Sequence, residues 1–553
     1  MVNFPDMARP GWQGVPSPAT SMLGHNLHGS AHWMNEAEFI GLGLAGSRGV
    51  VLGKRLNGDL VRFDGDGHVM VFAPTGAGKG IGFVQPNLAE YQGSLVVLDP
   101  KGENSIVSCE LRRKMGHDVI VLDPFGMTGI PGQTYNPLSA LTFADSASVG
   151  PWIECLGEAL IKDEGAKEQH WVMGARKFAV FLMWWMVAHE PPENRNLVRL
   201  FELVHSGYEL LSKMAAVMSE GRSRDPEVAR LCRALGTWLL GRQEREFSYF
   251  ESICINQLGW VGDFVWKDVL SGPPSPPPQM KSKPTTIYLV LPFHRMKRYQ
   301  GWLRLMVADL ITVLYDTPGS PPEPVLFLLD EAFAGLGRME FLFEAAGAVR
   351  GAGARLAFVY QDVEQAKKLY GESWQSLVAN SGVTLFWSVN DLTAADFLSR
   401  RSGTRTASVP GNPIGMAEPL LRVEDAMTLP RDEVIALFRN ASPARFGLLN
   451  ALTDQRFSSR LANNTTYGKP VEREHQARTD FVPVDLSTIA APASRGDDEL
   501  SDVPKSHHLA DISETIGIPI AQLEALENQF GRLVLRGDEL GYIDGRGIFI
   551  GLR

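Results

Sequence analysis

Short apolar segments that end in polar loops recur along this chain and constrain its fold more than any other feature. Stretches compatible with an α-helix separate most of them. Strands that alternate with helices form largely parallel sheets covered on both faces, so the pattern predicts an α/β fold. The segments are VMVF (69–72), SLVVLD (94–99), DVIVLD (118–123), TTIYLVL (285–291), VLFLLD (325–330), RLAFVY (355–360) and VTLFWSV (383–389).

The strand-like pattern stops between residues 144 and 270, where apolar residues follow helical spacing and tryptophans are frequent. This change of sequence pattern predicts an all-α domain inserted into the α/β domain. Clustered prolines at 271–284 cannot continue a helix and predict a stiff connector. The predicted organisation is an N-terminal segment (1–48), an α/β domain (49–143 and 285–466), the inserted domain (144–270), the connector (271–284), a linker (467–508) and a small C-terminal appendix (509–553).

Two smaller features complete this organisation. The sequence GVVLGKRLNGDLVRF starts at residue 49 and joins two apolar segments around Asn57-Gly58, which is a strong signal for a β-hairpin. In the appendix we expect a helix near 519–530, followed by short strands.

A glycine-rich loop follows the segment VMVF. Its eight positions, Ala73 to Gly80, read APTGAGKG, whereas the usual phosphate-binding loop reads G-x-x-x-x-G-K-[ST]. The small residues Gly76, Ala77 and Gly78 let successive backbone N–H groups converge on phosphate oxygens, and Lys79 adds an ammonium group. We therefore predict that Thr75 to Gly80 bind a nucleotide. An ordinary glycine-rich turn is the alternative.

A pair of acids lies far along the chain from this loop. The apolar segment VLFLLD ends on Asp330 and Glu331, where the carboxyl edge of a parallel sheet opens into a crevice. Asp330 is predicted to hold Mg²⁺, and Glu331 to polarise the water that attacks the nucleotide. A buried strand capped by an acidic turn is the alternative.

Gly80 stands where a phosphate-binding loop normally carries a serine or threonine hydroxyl that binds Mg²⁺. Water or Thr75 would have to take that place. We therefore expect loose metal binding and slow hydrolysis unless the protein is assembled or stimulated.

Composition and net charge limit the partners and the cellular compartment that we expect for this protein. The net charge of -10 argues against a surface that coats nucleic acid indiscriminately, although a local basic channel remains compatible with it. The 4 cysteines show no metal-ligand spacing, so a reducing cytosolic compartment is expected. The most apolar stretch, 178–188, is shorter than the roughly 20 residues that cross a bilayer and predicts a buried helix face. The N-terminal residues do not resemble a signal peptide.

The ordered motifs resemble a known family, the coupling proteins of type IV secretion systems, or TraG-like conjugation ATPases. The resemblance covers about residues 28–460. The motifs are HGSAHW (28–33), GVVLGK (49–54), APTGAGKG (73–80), VVLDPKGEN (96–104), LDEA (329–332), YQD (360–362) and NDLTAADFLSRRSGTRT (390–406). A glycine after the loop lysine is common in this family.

The resemblance implies a RecA-like P-loop NTPase domain with an inserted all-α domain, and ATP and Mg²⁺ as cofactors. It implies a homo-hexamer at the cytoplasmic side of the bacterial inner membrane, and a monomer is compatible with the isolated chain. The implied partners are inner-membrane components of the secretion system and a cargo of relaxase-bound DNA or protein effectors. Members usually carry transmembrane helices ahead of the HGSAHW region, and this sequence shows none, so we expect a soluble chain.

Further roles follow from the resemblance. Gln361 matches the residue that senses the γ-phosphate in RecA-like motors, which makes Glu331, Lys79 and Gln361 the predicted catalytic group. A solvated glutamine at a strand end is the alternative for Gln361. A cation from the adjacent subunit usually completes such a site, and Arg338, Arg350 and Arg355 are the candidates, with an ordinary surface arginine as the commoner explanation for each. Asp99 and Lys101 lie at the end of another strand. The alternatives for them are orientation of the metal-bound water, a link to the neighbouring subunit, and a structural ion pair.

Two basic clusters are candidates for contacting DNA phosphates inside a channel. The residues are Arg295, Lys297, Arg298, Arg400 and Arg401. A solvated helix face is the commoner explanation for such runs.

The sequence thus predicts an ATPase that recruits cargo and delivers it to a type IV secretion channel. The alternatives are a docking receptor that binds nucleotide with little hydrolysis, and a DNA translocase of the chromosome-segregation type. The LDPKGEN and NDLTAADFLS blocks favour the coupling family over the translocase.

Overall fold

The computed structural model describes residues 27–145, 147–162, 169–270, 275–339, 346–409, 412–464, 513, 518–530, 533–536, 539–543 and 549–551. The predicted linker at 467–508 and the first 26 residues of the N-terminal segment lie outside this described part. The chain divides into two compact units, Met1–Val471 and Glu472–Arg553.

An 11-stranded sheet forms the centre of the first unit, with strand order β2-β1-β13-β12-β9-β3-β8-β7-β4-β6-β5. The strands β10 and β11 form a separate antiparallel pair. In chain order the strands are β1 (Val50–Lys54), β2 (Leu60–Phe63), β3 (His68–Phe72), β4 (Leu95–Asp99), β5 (Asp118–Leu122), β6 (Thr285–Val290), β7 (Val325–Asp330), β8 (Ala354–Tyr360), β9 (Ser381–Phe386), β10 (Thr404–Val409), β11 (Asn412–Pro419), β12 (Glu433–Phe438) and β13 (Ala444–Gly447).

The strands from β9 to β5 in this order run parallel to one another. They coincide with the seven apolar segments of the sequence, so the predicted parallel α/β sheet is confirmed. Antiparallel strands extend one side of the sheet, and they include β1 and β2, which pair as the predicted hairpin around Asn57-Gly58.

Both faces of the sheet are buried. Along β3, Val69 and Val71 join one hydrophobic cluster, whereas Met70 and Phe72 join a second cluster on the opposite face. Since side chains alternate across a strand, a strand that is covered on both faces exposes polar groups only at its ends. We therefore look for the functional groups of this sheet at the ends of its strands.

Helices cover these faces and build the insertion. In chain order they are α1 (Glu36–Gly41), α2 (Gln85–Glu90), α3 (Glu103–Lys114), α4 (Ala140–Phe143), α5 (Val149–Leu160), α6 (Gln169–His189), α7 (Leu197–Val204), α8 (Gly207–Glu220), α9 (Pro226–Leu240), α10 (Glu244–Leu258), α11 (Phe264–Leu270), α12 (Gln300–Asp316), α13 (Ala332–Leu336), α14 (Ala346–Gly351), α15 (Val363–Tyr370), α16 (Trp374–Asn380), α17 (Leu392–Ser402), α18 (Val423–Met427) and α19 (Gln455–Ser458).

The helices α4 to α11 lie between β5 and β6 in the chain, and among the described residues this insertion contains no strand. Its helices pack closely. A Cβ atom added at Gly236 in α9 would lie 2.5 Å from the backbone nitrogen of Ser219, next to the end of α8. Glycine at this position therefore sets the distance between the two helices.

One helix of the insertion, α6, is long and apolar enough to cross a membrane, with 21 residues and a mean hydropathy of 1.2 over its most apolar window. It extends well beyond the apolar run at 178–188. Phe178, Phe181 and Met186 are fully buried against neighbouring helices, as expected for the core helix of a helical domain.

The second unit is small. Its described elements are α20 (Ile520–Phe530), β14 (Leu533–Arg536), β15 (Glu539–Ile543) and β16 (Phe549–Gly551), and the three strands form an antiparallel sheet. The helix lies where the sequence predicts one.

Candidate functional site

The phosphate-binding loop, residues 73–80, leaves the sheet at the end of β3. Gly76 and Gly78 adopt φ angles of 79° and 78°, which L side chains rarely adopt. The loop leads into one π-helical turn, Gly80–Val84, and then into α2. A tight turn with left-handed glycines is the backbone geometry that can direct several N–H groups to one point, so the degenerate sequence keeps a conformation suited to an anion.

Lys79 closes this loop on itself. Its Nζ donates hydrogen bonds to the carbonyl oxygens of Ala73, at 3.0 Å, and of Pro74, at 3.4 Å. The Nε1 of Trp387, which follows β9, donates to the carbonyl of Ala77 at 2.8 Å. The ammonium group thus rests on neutral carbonyls, which phosphate oxygens can replace as stronger, charged partners.

The acidic pair lies at the end of β7. Asp330 is the last residue of the strand, and Glu331 adopts a left-handed conformation, with φ 54° and ψ 40°. The backbone nitrogen of Glu331 donates to Oδ1 of Asp330 at 3.0 Å. A left-handed conformation at a residue other than glycine costs roughly 1–3 kcal/mol and is concentrated at functional sites. This conformation sets the direction in which the Glu331 side chain leaves the strand.

The structure brings the predicted catalytic group together. The Nζ of Lys79 lies 3.9 Å from Oε1 of Glu331. The Nε2 of Gln361 donates to Glu331 at 2.9 Å to Oε2 and 3.1 Å to Oε1. The three residues follow β3, β7 and β8, which are neighbours in the sheet. We call this end of the parallel strands the carboxyl edge and the opposite end the amino edge.

Negative charge accumulates at the carboxyl edge. Burial and the neighbouring Glu331 raise the pKa of Asp330 to about 7, while Lys79 opposes the shift and Asp99 adds to it. Burial likewise raises the pKa of Asp99 to about 6. Hard divalent cations bind carboxylate oxygens, and their charge would relieve this repulsion. The residues therefore fit a magnesium-bound nucleotide, with Asp330 as the metal ligand and the loop around the phosphates.

Gly80 and Thr75 differ in their surroundings. A Cβ atom built at Gly80 meets no other atom within 4 Å, so the position is open to a larger side chain. Thr75 is exposed in the first half of the loop. The open space at Gly80 is where the usual hydroxyl would stand.

Asp99 is fully buried and anchors the start of α3. Its carboxylate accepts hydrogen bonds from the backbone nitrogen and the hydroxyl of Ser105, both at 2.8 Å, and so holds the first turn of α3. Among the described residues it has no ion pair with Lys101. Its charge still acts on Asp330, because β4 lies beside β7.

The three candidate arginines lie in different surroundings. Arg338 is exposed in the segment after α13, close to the carboxyl edge. Arg350 lies at the amino edge, where its NH1 is 3.4 Å from Asp66, and its side chain is 47% exposed. A cation offered to a neighbouring subunit has to be exposed and outside its own site, and Arg350 meets both conditions.

The surroundings of Arg355 argue against a role as the cation offered to a neighbouring subunit. Its side chain is buried at the start of β8, on the amino edge, and donates to the carbonyl oxygens of Phe63 at 3.1 Å and Gly65 at 2.7 Å. The guanidinium also lies over the Phe63 ring. It fastens the loop before β3 to the sheet and is not available to a second subunit.

The two basic clusters lie at opposite edges of the sheet. Arg295 lies over the ring of Phe125, Lys297 is exposed, and Arg298 forms two 2.8 Å hydrogen bonds with Asp263 of the insertion. These residues follow β6 at the carboxyl edge. On α17, Arg400 pairs with Asp396 at 3.1 Å, and Arg401 borders a cavity at the amino edge next to Ser381. The structure does not bring the clusters into one surface.

Two features of the site could not be found from the residue types alone. Trp387 holds the phosphate-binding loop, but in the sequence it is one more apolar residue of the segment VTLFWSV. The left-handed backbone of Glu331 has no sequence signal, since glycine is the usual residue in that conformation.

The profile of one protein family, the Type IV secretory system Conjugative DNA transfer family, matches residues 32–414. Protein VirD4 of Agrobacterium fabrum is 25% identical over 467 residues, which cover 79% of this chain and 67% of that protein. The conjugal transfer protein TraG of the same organism is 24% identical, and the match covers 69% of this chain and 62% of TraG. The chain thus spans about two thirds of the length of these curated relatives.

Solved structures show the same fold. The plasmid coupling protein TrwB in complex with the ATP analogue ADPNP superimposes with a TM-score of 0.55 and 13% identity, over 76% of this chain and 93% of that chain. A trigonal form of TrwB with sulphate gives a TM-score of 0.57 and 14% identity, over 77% and 96% of the two chains. The architecture predicted from sequence, a RecA-like domain with an inserted helical domain, is confirmed by this likeness.

Proposed function

The chain belongs to the Type IV secretory system Conjugative DNA transfer family, and from this premise we propose that it is the ATPase that couples cargo to a type IV secretion channel. The observation that carries the proposal is the meeting of Lys79, Glu331 and Gln361 at one sheet edge. These residues come from three separate parts of the chain. Neither a glycine-rich turn nor an acidic strand end requires such a meeting.

In the proposed reaction Lys79 exchanges its carbonyl partners for phosphate oxygens, and the backbone of Thr75 to Gly80 surrounds the same phosphates. Asp330 would hold Mg²⁺, which would neutralise charge on the phosphates. Glu331 accepts a proton from the water that attacks the terminal phosphorus, the bond between that phosphorus and the bridging oxygen breaks, and ADP leaves with the bridging oxygen. Gln361, which holds the Glu331 carboxylate, turns its amide toward the terminal phosphate.

Assembly extends this proposal. A homo-hexamer would place an exposed arginine of one subunit near the nucleotide of the next, and Arg350 and Arg338 remain the candidates. The proposed partners are inner-membrane components of the secretion system, and the cargo is a relaxase-bound DNA strand or protein effectors. We propose that the protein acts at the cytoplasmic face of the inner membrane, where it would deliver cargo to the secretion channel.

The test compares Glu331→Gln with the unmodified chain in single-turnover ATP hydrolysis. Loss of a general base typically slows a reaction by 10²–10⁴-fold, and we expect a decrease of about that size with nucleotide still bound. Lys79→Ala, in contrast, should weaken nucleotide binding itself.

Equal residual hydrolysis in the unmodified chain and in Glu331→Gln would contradict the proposal. The protein would then be a docking receptor that binds nucleotide without using it. Hydrolysis is measured with and without single-stranded DNA, because an enzyme of this type can depend on its cargo.

A further inference from the structure

The inserted domain contains a cavity of about 650 Å³ that the nucleotide chemistry does not use. It lies between the ends of α4 and α6, the start of α5, and the loop that leads into α9. Arg195, Arg222 and Arg224 border it, and we call it the arginine cavity. No sequence motif marks it, because its walls come from four separate segments.

Arg195 is the most buried of these cations. Its guanidinium donates to the carbonyl oxygens of Leu141, at 2.8 Å, of Val187, at 3.2 Å, and of Glu190, at 3.2 and 3.3 Å. All of these partners are neutral, and among the described residues no carboxylate pairs with Arg195. Burial lowers its pKa, which expresses the cost of placing this charge away from water, and the nearby Glu193 offsets only part of that shift. An anion in the cavity would remove that cost.

The other two arginines border the opening of the cavity. Arg224 is exposed and has no ion pair within the part of the chain that the structure describes, while Arg222 pairs with Glu220 outside the cavity. Asp225 is the acid among the lining residues. Its carboxylate already accepts the backbone N–H groups of Glu227 and Val228 at the start of α9. The net charge of the lining is therefore positive.

The interior of the cavity is apolar as well as cationic. Leu141, Val149, Val187 and Val228 contribute side chains to its wall. Thr142 is also among the lining residues, but its hydroxyl oxygen is buried and does not reach the surface of the cavity.

We propose that the arginine cavity is a receptor site for a short peptide that presents a carboxylate next to an apolar side chain. The arginine guanidinium groups bind the carboxylate, and the valine and leucine side chains contact the apolar group. A DNA backbone offers phosphates without an apolar group, so the apolar wall favours a peptide. The site rests on the proposed function, since it would supply the insertion with a means of recognising protein cargo.

The test begins with a displayed library of random heptapeptides with free carboxyl ends, selected on the full chain. We expect enrichment of sequences that combine an apolar residue with aspartate, glutamate or the terminal carboxylate. The enriched peptide is then titrated by fluorescence polarisation against the unmodified chain, Arg224→Glu and Ala144→Trp. Reversal of one charge, or filling of the cavity, should each weaken binding by about tenfold or more.

Arg230→Glu is the matched control. It lies one turn along α9, pairs with Glu227 on the exposed side of the helix and does not line the cavity. The control changes the net charge of the chain by the same amount, so it should keep the affinity of the unmodified protein. An equal loss in Arg224→Glu and Arg230→Glu would overturn the proposal.

Two further outcomes overturn it. One is a selection without enrichment, or with enrichment of basic peptides. The other is binding of an oligo-dT strand that weakens in Arg224→Glu while no peptide binds. ATP hydrolysis by the unmodified chain is measured in parallel, because a failure there contradicts the proposed function and leaves the peptide result to be judged separately.

Discussion

The carboxyl and amino edges of one parallel sheet carry similar residue types and use them differently. At the carboxyl edge, Lys79 rests on neutral carbonyls, Glu331 is held in a strained conformation, and Asp330 has a raised pKa. At the amino edge, Arg355 is buried with two carbonyl partners, and Arg350 pairs with Asp66.

The difference teaches how to separate functional from structural polar groups in this fold. At the carboxyl edge the carboxylates of Glu331 and Asp99 act against the charge of Asp330, and Lys79 offsets only part of this repulsion. At the amino edge the charges are satisfied by the protein itself. Substitutions at the carboxyl edge should therefore change chemistry at nearly constant stability, and substitutions at the amino edge should do the reverse.

Of the variants that test this comparison, Gln361→Leu at the carboxyl edge is expected to have the largest effect. Leucine keeps the size of the side chain and removes the donor that holds both oxygens of Glu331. Loss of one preorganised donor typically costs 10²–10³ in rate, so hydrolysis should fall by about 10²-fold or more in a single-turnover assay. The matched control is Gln92→Leu, an exposed glutamine away from the crevice. If Gln361→Leu hydrolysed ATP at the rate of the unmodified chain, Gln361 would not belong to the catalytic group.

At the amino edge, Arg355→Met should lower the free energy of unfolding by about 2–3 kcal/mol. It removes hydrogen bonds from a charged group and leaves two carbonyls without that partner, at Phe63 and Gly65. Denaturant unfolding measures the loss, and hydrolysis per folded molecule should stay the same. Arg350→Met is the control for stability, with an expected change within about 0.5 kcal/mol, because its ion pair is exposed. If fully folded Arg355→Met hydrolysed ATP more slowly than the unmodified chain, the amino edge would have a catalytic role as well as a structural one.

A smaller effect is expected for Gly80→Ser. The added side chain meets no atom within 4 Å and restores the hydroxyl that usually binds Mg²⁺. The Mg²⁺ concentration for half-maximal hydrolysis should fall by about tenfold, equivalent to about 1.4 kcal/mol. Gly80→Ala adds the same Cβ atom without the hydroxyl and should keep the native requirement. If the serine and alanine variants behave alike, the hydroxyl has no role.

The smallest effect is expected beyond the amino edge, at His32. The carbonyl of Ser30 and then the carboxylate of Glu38 raise the pKa of His32 above its usual value. Protonated His32 and its partners add to the free energy of unfolding. This contribution is complete below pH 6.5 and is lost as the pH rises through the raised pKa of His32. Because the pair is exposed, solvent screening keeps the contribution below about 1 kcal/mol. Melting temperatures of His32→Gln and the unmodified chain should differ at pH 5.5 and converge near pH 8.5, and a constant difference would contradict this assignment.

Much of the fold could be predicted because its signals are local. Each of the seven parallel strands is a short apolar run that ends at a polar loop, and the insertion is marked by a change to helical spacing. The phosphate-binding loop and the acidic pair were found in the same way, from residue types at fixed spacing. The structural role of Arg355 could not be predicted from the sequence, because the sequence does not show whether a charged residue at the start of a strand is buried or exposed.

The arginine cavity was also beyond prediction. Arg195 and Arg224 are separated by a loop and two helices in the sequence, and their common cavity exists only after those helices pack. Packing distances in the insertion depend on single residues such as Gly236, whose importance is visible only from the atoms around it.

The sequence by itself determined the class of fold and the chemical groups at the ends of the strands, because periodicity and turn chemistry act between neighbours in the chain. Only the tertiary structure decided that β8 lies between β3 and β7, and so that Lys79, Glu331 and Gln361 meet at one crevice. Strand order follows from contacts between segments that are hundreds of residues apart, and no local pattern encodes those contacts.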